Sequence, residues 1–119
     1  MMYKDRKYIA ISIKHTEYRW KFGKPCVLCG TRYTDDSEGR CFSGYTEYLA
    51  NAERYALGDF KKHHYGSEIK DDEPVRLCID FCKKWRKYDT VLVDVELYQK
   101  YCDIAEIPTE PLEGEYYYG

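Results

Sequence analysis

The chain has 119 residues and a formal net charge of −2, from 19 Lys and Arg against 21 Asp and Glu. This length suits one compact domain, and the slightly acidic balance argues against a dedicated DNA-binding domain, in which basic residues usually dominate. Fourteen tyrosines stand against four Phe and two Trp, and tyrosine suits half-buried surfaces and interfaces because it joins an apolar ring to a polar hydroxyl. No apolar signal segment or membrane-length stretch is visible, so we expect a cytoplasmic protein with reduced thiols.

The first half of the chain predicts three strands. Alternating apolar residues indicate a strand over 8–14, where every second residue is isoleucine. Two further strands are expected at 26–34 and 40–46, joined by a polar turn into a hairpin. Residues 47–56 and 57–63 have weaker helical patterns; Gly58 interrupts the second, which would begin at Asp59.

The second half predicts two helices around one buried strand. Apolar residues at helical spacing indicate helices over 77–88 and 96–105, and the apolar run between them predicts a central strand over 90–95. Residues 107–119 form an acidic, tyrosine-rich tail that we expect to dock on this domain or on a neighbour. The fold class predicted for 1–119 is therefore a single α+β domain, with a small antiparallel or mixed sheet and two or three helices.

Four of the six cysteines occur in two close pairs. Cys26 and Cys29 are separated by two residues and followed by Gly30, which is the local pattern of a zinc knuckle: two thiolates bind one tetrahedral ion and the glycine permits a left-handed turn. Cys78 and Cys82 are four residues apart on a predicted helix and so share one face. We therefore predict a structural zinc site with the ligands Cys26, Cys29, Cys78 and Cys82.

Other assignments of the zinc ligands stay open at this point. Cys41 lies opposite the knuckle across the predicted hairpin, and His15 lies near the end of the first strand, so either can replace a ligand. The alternative for Cys78, Cys82 and Cys102 is that they are buried small apolar residues, as free cysteines often are. Cys41 and Cys102 are the expected spare thiols.

The alternative to a structural zinc site is a catalytic one, and the short separation between His15 and Cys26 argues against it. His15 and Glu17 precede Cys26 and Cys29 in the order of the zinc-deaminase signature. The two halves are only about ten residues apart, too few for the helical crossover of a dozen or more residues that such a fold places between them. We therefore predict no enzymatic activity.

Charge is unevenly distributed along the chain. Residues 1–33 contain eight Lys and Arg against two acids, whereas residues 66–119 contain seven against thirteen. This asymmetry suits a protein that meets a charged partner. Acidic residues of the second half are candidates to oppose a basic nucleic-acid channel in that partner: Asp71, Asp72, Glu73, Glu110, Glu113 and Glu115.

Three phrases carry a resemblance to a known group: FGKPCVL at 22–28, RCFSGYT at 40–46 and FCKKWRKYDTV at 81–91. They resemble small proteins of streptococcal phages and mobile elements, and within that group the type II-A anti-CRISPR proteins. The resemblance implies a zinc-stabilised, non-enzymatic protein that binds a host RNA-guided type II CRISPR nuclease and blocks target-DNA loading or cleavage. Apart from the resemblance, we expect no membrane association, and we do not expect direct nucleic-acid binding. The alternative is a zinc-ribbon-like nucleic-acid-binding module that uses the basic N-terminal third.

Overall fold

The computed structural model describes residues 6–20, 26–32, 41–65 and 87–111. Side chains are described in these ranges except at 17–20 and 64–65. The elements in chain order are β1 (Tyr8–Ser12), α1 (Ile13–Trp20), β2 (Leu28–Cys29), β3 (Tyr45–Thr46), a 3-10 turn (Leu49–Asn51), β4 (His63–Tyr65), β5 (Thr90–Asp94) and α2 (Val95–Ala105).

A five-stranded sheet with the order β3-β2-β1-β5-β4 organises these elements. Four strands pair antiparallel, and β4 joins β5 in parallel at one edge. The longest ladder joins β1 to β5, from Tyr8 opposite Asp94 to Ser12 opposite Thr90. The predicted α+β class with a small, mainly antiparallel sheet is thereby confirmed.

The sheet has an apolar cluster on each face. Because side chains alternate along a strand, Ile9 and Ile11 lie on one face with Val91 and Val93, and α2 packs there through Tyr98, Tyr101 and Cys102. Ala10 and Leu92 lie on the other face with Tyr55 and Phe60. The two central strands are thus buried on both sides, which explains the continuous apolar run of β5.

The predicted strand over 8–14 is too long by two residues. β1 ends at Ser12, and Ile13–Trp20 forms α1, a helix that the polar composition of this stretch did not predict. The Ser12 hydroxyl accepts a hydrogen bond from the backbone N–H of His15 at 3.4 Å, the position at which a helix-capping serine acts. The cap turns the chain out of the sheet and fixes where the helix begins.

The predicted strand over 90–95 and the predicted helix over 96–105 are confirmed, with the boundary at Asp94. Its carboxylate accepts hydrogen bonds from the N–H groups of Glu96 and Leu97 at 2.8 and 3.4 Å, which caps α2. The helix ends at Ala105, and the C-cap residue Glu106 is left-handed with φ 56°.

The helix predicted over 47–56 is wrong. Only the 3-10 turn forms there, and the chain then extends so that Tyr8 and Tyr55 exchange two backbone hydrogen bonds of 3.1 and 2.7 Å. Pairing with the sheet therefore outweighs a weak helical pattern. The helix predicted over 57–63 is also wrong, because the Asp59 carboxylate accepts a hydrogen bond from the N–H of Ala56 at 2.7 Å and closes a turn ahead of β4.

The predicted hairpin of 26–34 and 40–46 is present as a short ladder in which Leu28 pairs with Thr46 and Cys29 with Tyr45. Both strands are shorter than predicted, and residues 33–40 lie outside the described ranges. The helix predicted over 77–88 lies outside them too, except for its last two residues. None of the helices that the structure describes is both long and apolar enough to cross a membrane.

Candidate functional site

The two described cysteines of the predicted zinc knuckle point to opposite faces of the sheet. Cys26 packs in the cluster beneath α2, and Cys29 packs in the cluster with Tyr55. Among the described residues, no group of three or more His, Cys, Asp and Glu side chains is placed to hold a metal ion. Cys78 and Cys82 lie outside the described ranges, so the four-cysteine set stays a prediction.

Cys26 lies in a closed, uncharged environment. The Tyr98 hydroxyl is fully buried and has no aligned hydrogen-bond partner among the described residues, although the thiols of Cys26 and Cys102 are close enough to affect its pKa. Burial, with these thiols as the smaller cause, raises the pKa of Tyr98 well above its ordinary value. Burial likewise raises the pKa of the Cys102 thiol to about 12. This side of the sheet is therefore packed core with neutral side chains.

The two alternative ligands have other partners. The His15 ring stacks on Tyr45, and its Nδ1 hydrogen-bonds to the Ser12 hydroxyl at 2.8 Å. The Cys41 thiol donates to the carbonyl oxygen of Ser43 at 3.4 Å. Both residues contribute to local structure around a cleft on the surface.

This cleft, of about 480 Å³, opens where β1 passes into α1 and where β5 begins. Its size is within the range of small-molecule and peptide pockets. Ser12, Cys29 and Thr90 form a buried floor. We call it the aromatic cleft because five rings line it: His15, Phe42, Tyr45, Phe60 and Tyr88.

Several of these rings are exposed and held in place by one another. His15 stacks on Tyr45 with ring centroids 4.1 Å apart, and Phe42 meets Phe60 edge to face at 5.5 Å. Phe42 is 56% exposed and Tyr45 41%. Large apolar side chains left in water around a concave surface are typical of binding sites.

The side chains on the floor of the cleft are not activated as nucleophiles. Burial raises the pKa of the Cys29 thiol to about 12, so the thiol is protonated at neutral pH and is a poor nucleophile. Ser12 and His15 resemble a nucleophile and its base, but the Ser12 hydroxyl is engaged by both the backbone N–H and the ring of His15. Ser12 is also only 6% exposed. This geometry is that of a helix cap.

Among the described residues, the lining of the cleft has one basic and one acidic side chain, Lys14 and Asp89. Lys14 lines it, and the Lys62 ammonium lies 3.7 Å from the carboxylate of Asp89. The Lys87 ammonium lies 5.3 Å from the ring centroid of Tyr88, over its face. Lys62 and Lys87 therefore lie next to lining residues and not in the lining itself.

A second surface lies on α2 and the residues that follow it. Its exposed acids are Glu96, Asp103, Glu106 and Glu110, which we call the acidic face. Glu96 and Asp103 are seven residues apart and so share one side of the helix, about 10 Å from each other. Ile104 is 54% exposed beside them, and Lys100 is the one basic residue of α2.

Sequence reasoning anticipated part of the acidic face and none of the aromatic cleft. Glu110 was among the predicted acidic contact residues and is exposed, whereas the others lie outside the described ranges. The cleft joins residues from five separate segments, and the abundance of aromatic residues was the only signal for it. No family model, no curated protein and no solved structure matches this chain.

Proposed function

We propose that the protein is a non-enzymatic inhibitor that binds a host RNA-guided type II CRISPR nuclease in the host cytoplasm and blocks target-DNA loading or cleavage. The observation that carries the proposal is the acidic face. A nuclease that holds nucleic acid has a basic channel for the phosphate backbone. A protein surface with fixed carboxylates is complementary to such a channel and competes with DNA for it.

The acidic face is mounted on a rigid element. Asp94 caps the start of α2, and Tyr98, Tyr101 and Cys102 bury its inner side in the core. The backbone N–H of Ile107 bonds to the carbonyl oxygen of Cys102 at 2.9 Å and fixes the exit of the chain. Carboxylates on such a helix lose little freedom on binding, which lowers the entropic cost of association.

The proposed mechanism is stoichiometric binding. The floor of the aromatic cleft supports a binding role over a catalytic one, since the Cys29 thiol is protonated and Ser12 caps a helix. The zinc predicted from four cysteines would be structural, and no step of the inhibition depends on it.

The test is inhibition of DNA cleavage by a purified type II nuclease loaded with guide RNA. We expect full inhibition near one inhibitor per nuclease. The triple variant Glu96→Gln, Asp103→Asn, Glu106→Gln keeps the side-chain sizes and should inhibit about tenfold more weakly or worse, because three charge pairs are lost. Lys100→Gln is the matched control on the same helix and should inhibit at least as well as the parent. Absence of inhibition by the parent chain would end the proposal.

The rim of the aromatic cleft favours a second candidate, a nucleic-acid-binding module. Aromatic rings that stack bases beside lysines that meet phosphates are the usual arrangement for single-stranded nucleic acid. Binding of a labelled single strand by the protein alone, weakening steeply with salt, would favour the module. The inhibitor proposal expects the full chain to leave that strand free.

A further inference from the structure

We propose that the aromatic cleft binds a free aromatic α-amino acid in its zwitterionic form. The described lining has one basic and one acidic side chain, Lys14 and Asp89, and its walls are mainly aromatic rings. This lining shares no residue with the acidic face, so the amino-acid site is separate from the surface proposed to inhibit the nuclease. The inference goes beyond the inhibitor function and does not depend on it.

The two charged side chains lie at the same end of the cleft. The backbone N–H of Ile13 donates to the carbonyl oxygen of Asp89 at 3.3 Å, which puts their Cα atoms about 5.5 Å apart. Lys14 is the next residue in the chain, so its Cα lies at most about 10 Å from that of Asp89. An α-amino acid has its carboxylate and its ammonium on one carbon, and these two groups can meet Lys14 and Asp89 together.

The opposite signs of these two charges decide between classes of ligand. A nucleotide would be attracted by Lys14 and repelled by Asp89, and an alkylated ammonium would be attracted by Asp89 and repelled by Lys14. A zwitterion presents an opposite charge to each of them.

The Asp89 carboxylate can accept the ligand although it already has a cation beside it. The Lys62 ammonium lies 3.7 Å from Asp89 Oδ1, and the two side chains are 60% and 75% exposed. An ion pair this exposed contributes little. A carboxylate also accepts several hydrogen bonds at once, so a ligand ammonium can bind Asp89 without displacing Lys62.

The rings supply the apolar part of the site. His15 stacks on Tyr45, and Phe42 meets Phe60 edge to face, so these walls are in place before a ligand arrives. Phe42 and Tyr45 are nevertheless exposed. A ligand ring that packs on them is stabilised by ring geometry in addition to the area that it buries. The volume of about 480 Å³ lies in the lower part of the range for small-molecule pockets, which suits a ligand of this size.

The test is an NMR titration with L-tryptophan and two analogues that each lack one charge. Tryptamine has no carboxylate, and indolepropionate has no ammonium. We expect each analogue to bind at least about fivefold more weakly than tryptophan, because one charged hydrogen bond is lost. The shifts should fall on the rings of Phe42, Tyr45 and Tyr88.

Exposed residues of the cleft provide the matched variants. In Lys14→Gln, tryptophan and tryptamine should bind equally, and in Asp89→Asn, tryptophan and indolepropionate should bind equally. Phe42→Ala should weaken all three ligands to a similar degree, because the ring is common to them. Lys100→Gln on α2 is the control and should leave all three affinities unchanged.

Three results would overturn the proposal. Tryptophan causes no shift at about 10 mM, or the three ligands bind equally to the parent chain. The two charge variants keep the parent's preference for tryptophan. Adenosine monophosphate binds more tightly than tryptophan, which would assign the cleft to nucleotides and favour the nucleic-acid-binding module. Inhibition of the nuclease is measured separately through the acidic face, so failure of either proposal leaves the other standing.

Discussion

The structure allows the destabilisation caused by replacing Gly30 to be worked out contact by contact. Its φ of +76° is left-handed, and the place where a Cβ would stand is taken by the Tyr55 hydroxyl and the Cys41 carbonyl oxygen. In Gly30→Ala the left-handed backbone costs about 1 to 2 kcal/mol. Displacing Tyr55 breaks its 2.5 Å hydrogen bond to Cys41, which costs about 1 to 1.5 kcal/mol more. We expect a total loss of about 3 kcal/mol in the free energy of unfolding.

Gly58 is the matched control for this substitution. It also has a positive φ, +94°, but a Cβ built there meets no atom of the described residues within 4 Å. Gly58→Ala should therefore show only the backbone cost of about 1 to 2 kcal/mol. Urea unfolding followed by circular dichroism measures both variants. In a Tyr55→Phe background, which has no hydroxyl, Gly30→Ala should cost about 1 kcal/mol less than in the parent. Equal losses for the two glycines would refute the close contact at Gly30.

Three further predictions concern buried charge and buried thiols. Glu53→Ala removes the carboxylate 3.5 Å from the buried guanidinium of Arg6 and should lower the free energy of unfolding by about 3 kcal/mol. Lys62→Ala, which removes an exposed ion pair with Asp89, should lower it by less than about 1 kcal/mol. Equal losses for the two variants in urea unfolding would contradict this prediction. Because burial raises the pKa of Cys29 from 9.0 to about 12, its contribution to stability is complete below pH 9 and is lost as the pH rises to 12. In urea unfolding, the free energy of unfolding should fall less between pH 9 and pH 12 in Cys29→Ala than in the parent. Identical pH dependence in the two proteins would indicate that Cys29 is a thiolate in the folded state. Since Cys26 and Cys29 pack on opposite faces, the losses from Cys26→Ala and Cys29→Ala should add in the double variant; a strong coupling, together with bound zinc on metal analysis, would support a shared ion instead.

The cysteine spacing shows where sequence reasoning about the site was incomplete. Cys26 and Cys29 differ by three positions, an odd number, so an extended chain sends their side chains to opposite faces. A knuckle needs a turn between them. Here Leu28 pairs with Ile11 of β1 and keeps the chain extended. A cysteine pair alone therefore does not decide between a metal turn and a strand.

Elements with strong local signals were predictable, and those fixed by distant partners were not. β5 and α2 combine clear periodicity with the capping carboxylate of Asp94, so local sequence suffices. The chain from Ala52 to Tyr55 has a helical pattern but is held extended by Tyr8, which is far away in sequence. The aromatic cleft depends on such distant contacts throughout, because it needs the sheet to bring Phe42, Tyr45 and Tyr88 together.

The most direct test of the central claim is titration calorimetry of the protein against a type II CRISPR nuclease loaded with guide RNA. The proposed function predicts one inhibitor bound per nuclease, an affinity that falls as salt rises, and competition with target DNA. It also predicts weaker binding of the variant that neutralises Glu96, Asp103 and Glu106, the exposed acids of α2 and its C-terminal cap. No binding, or equal binding of parent and neutralised variant, would contradict the claim that the acidic face engages the nuclease.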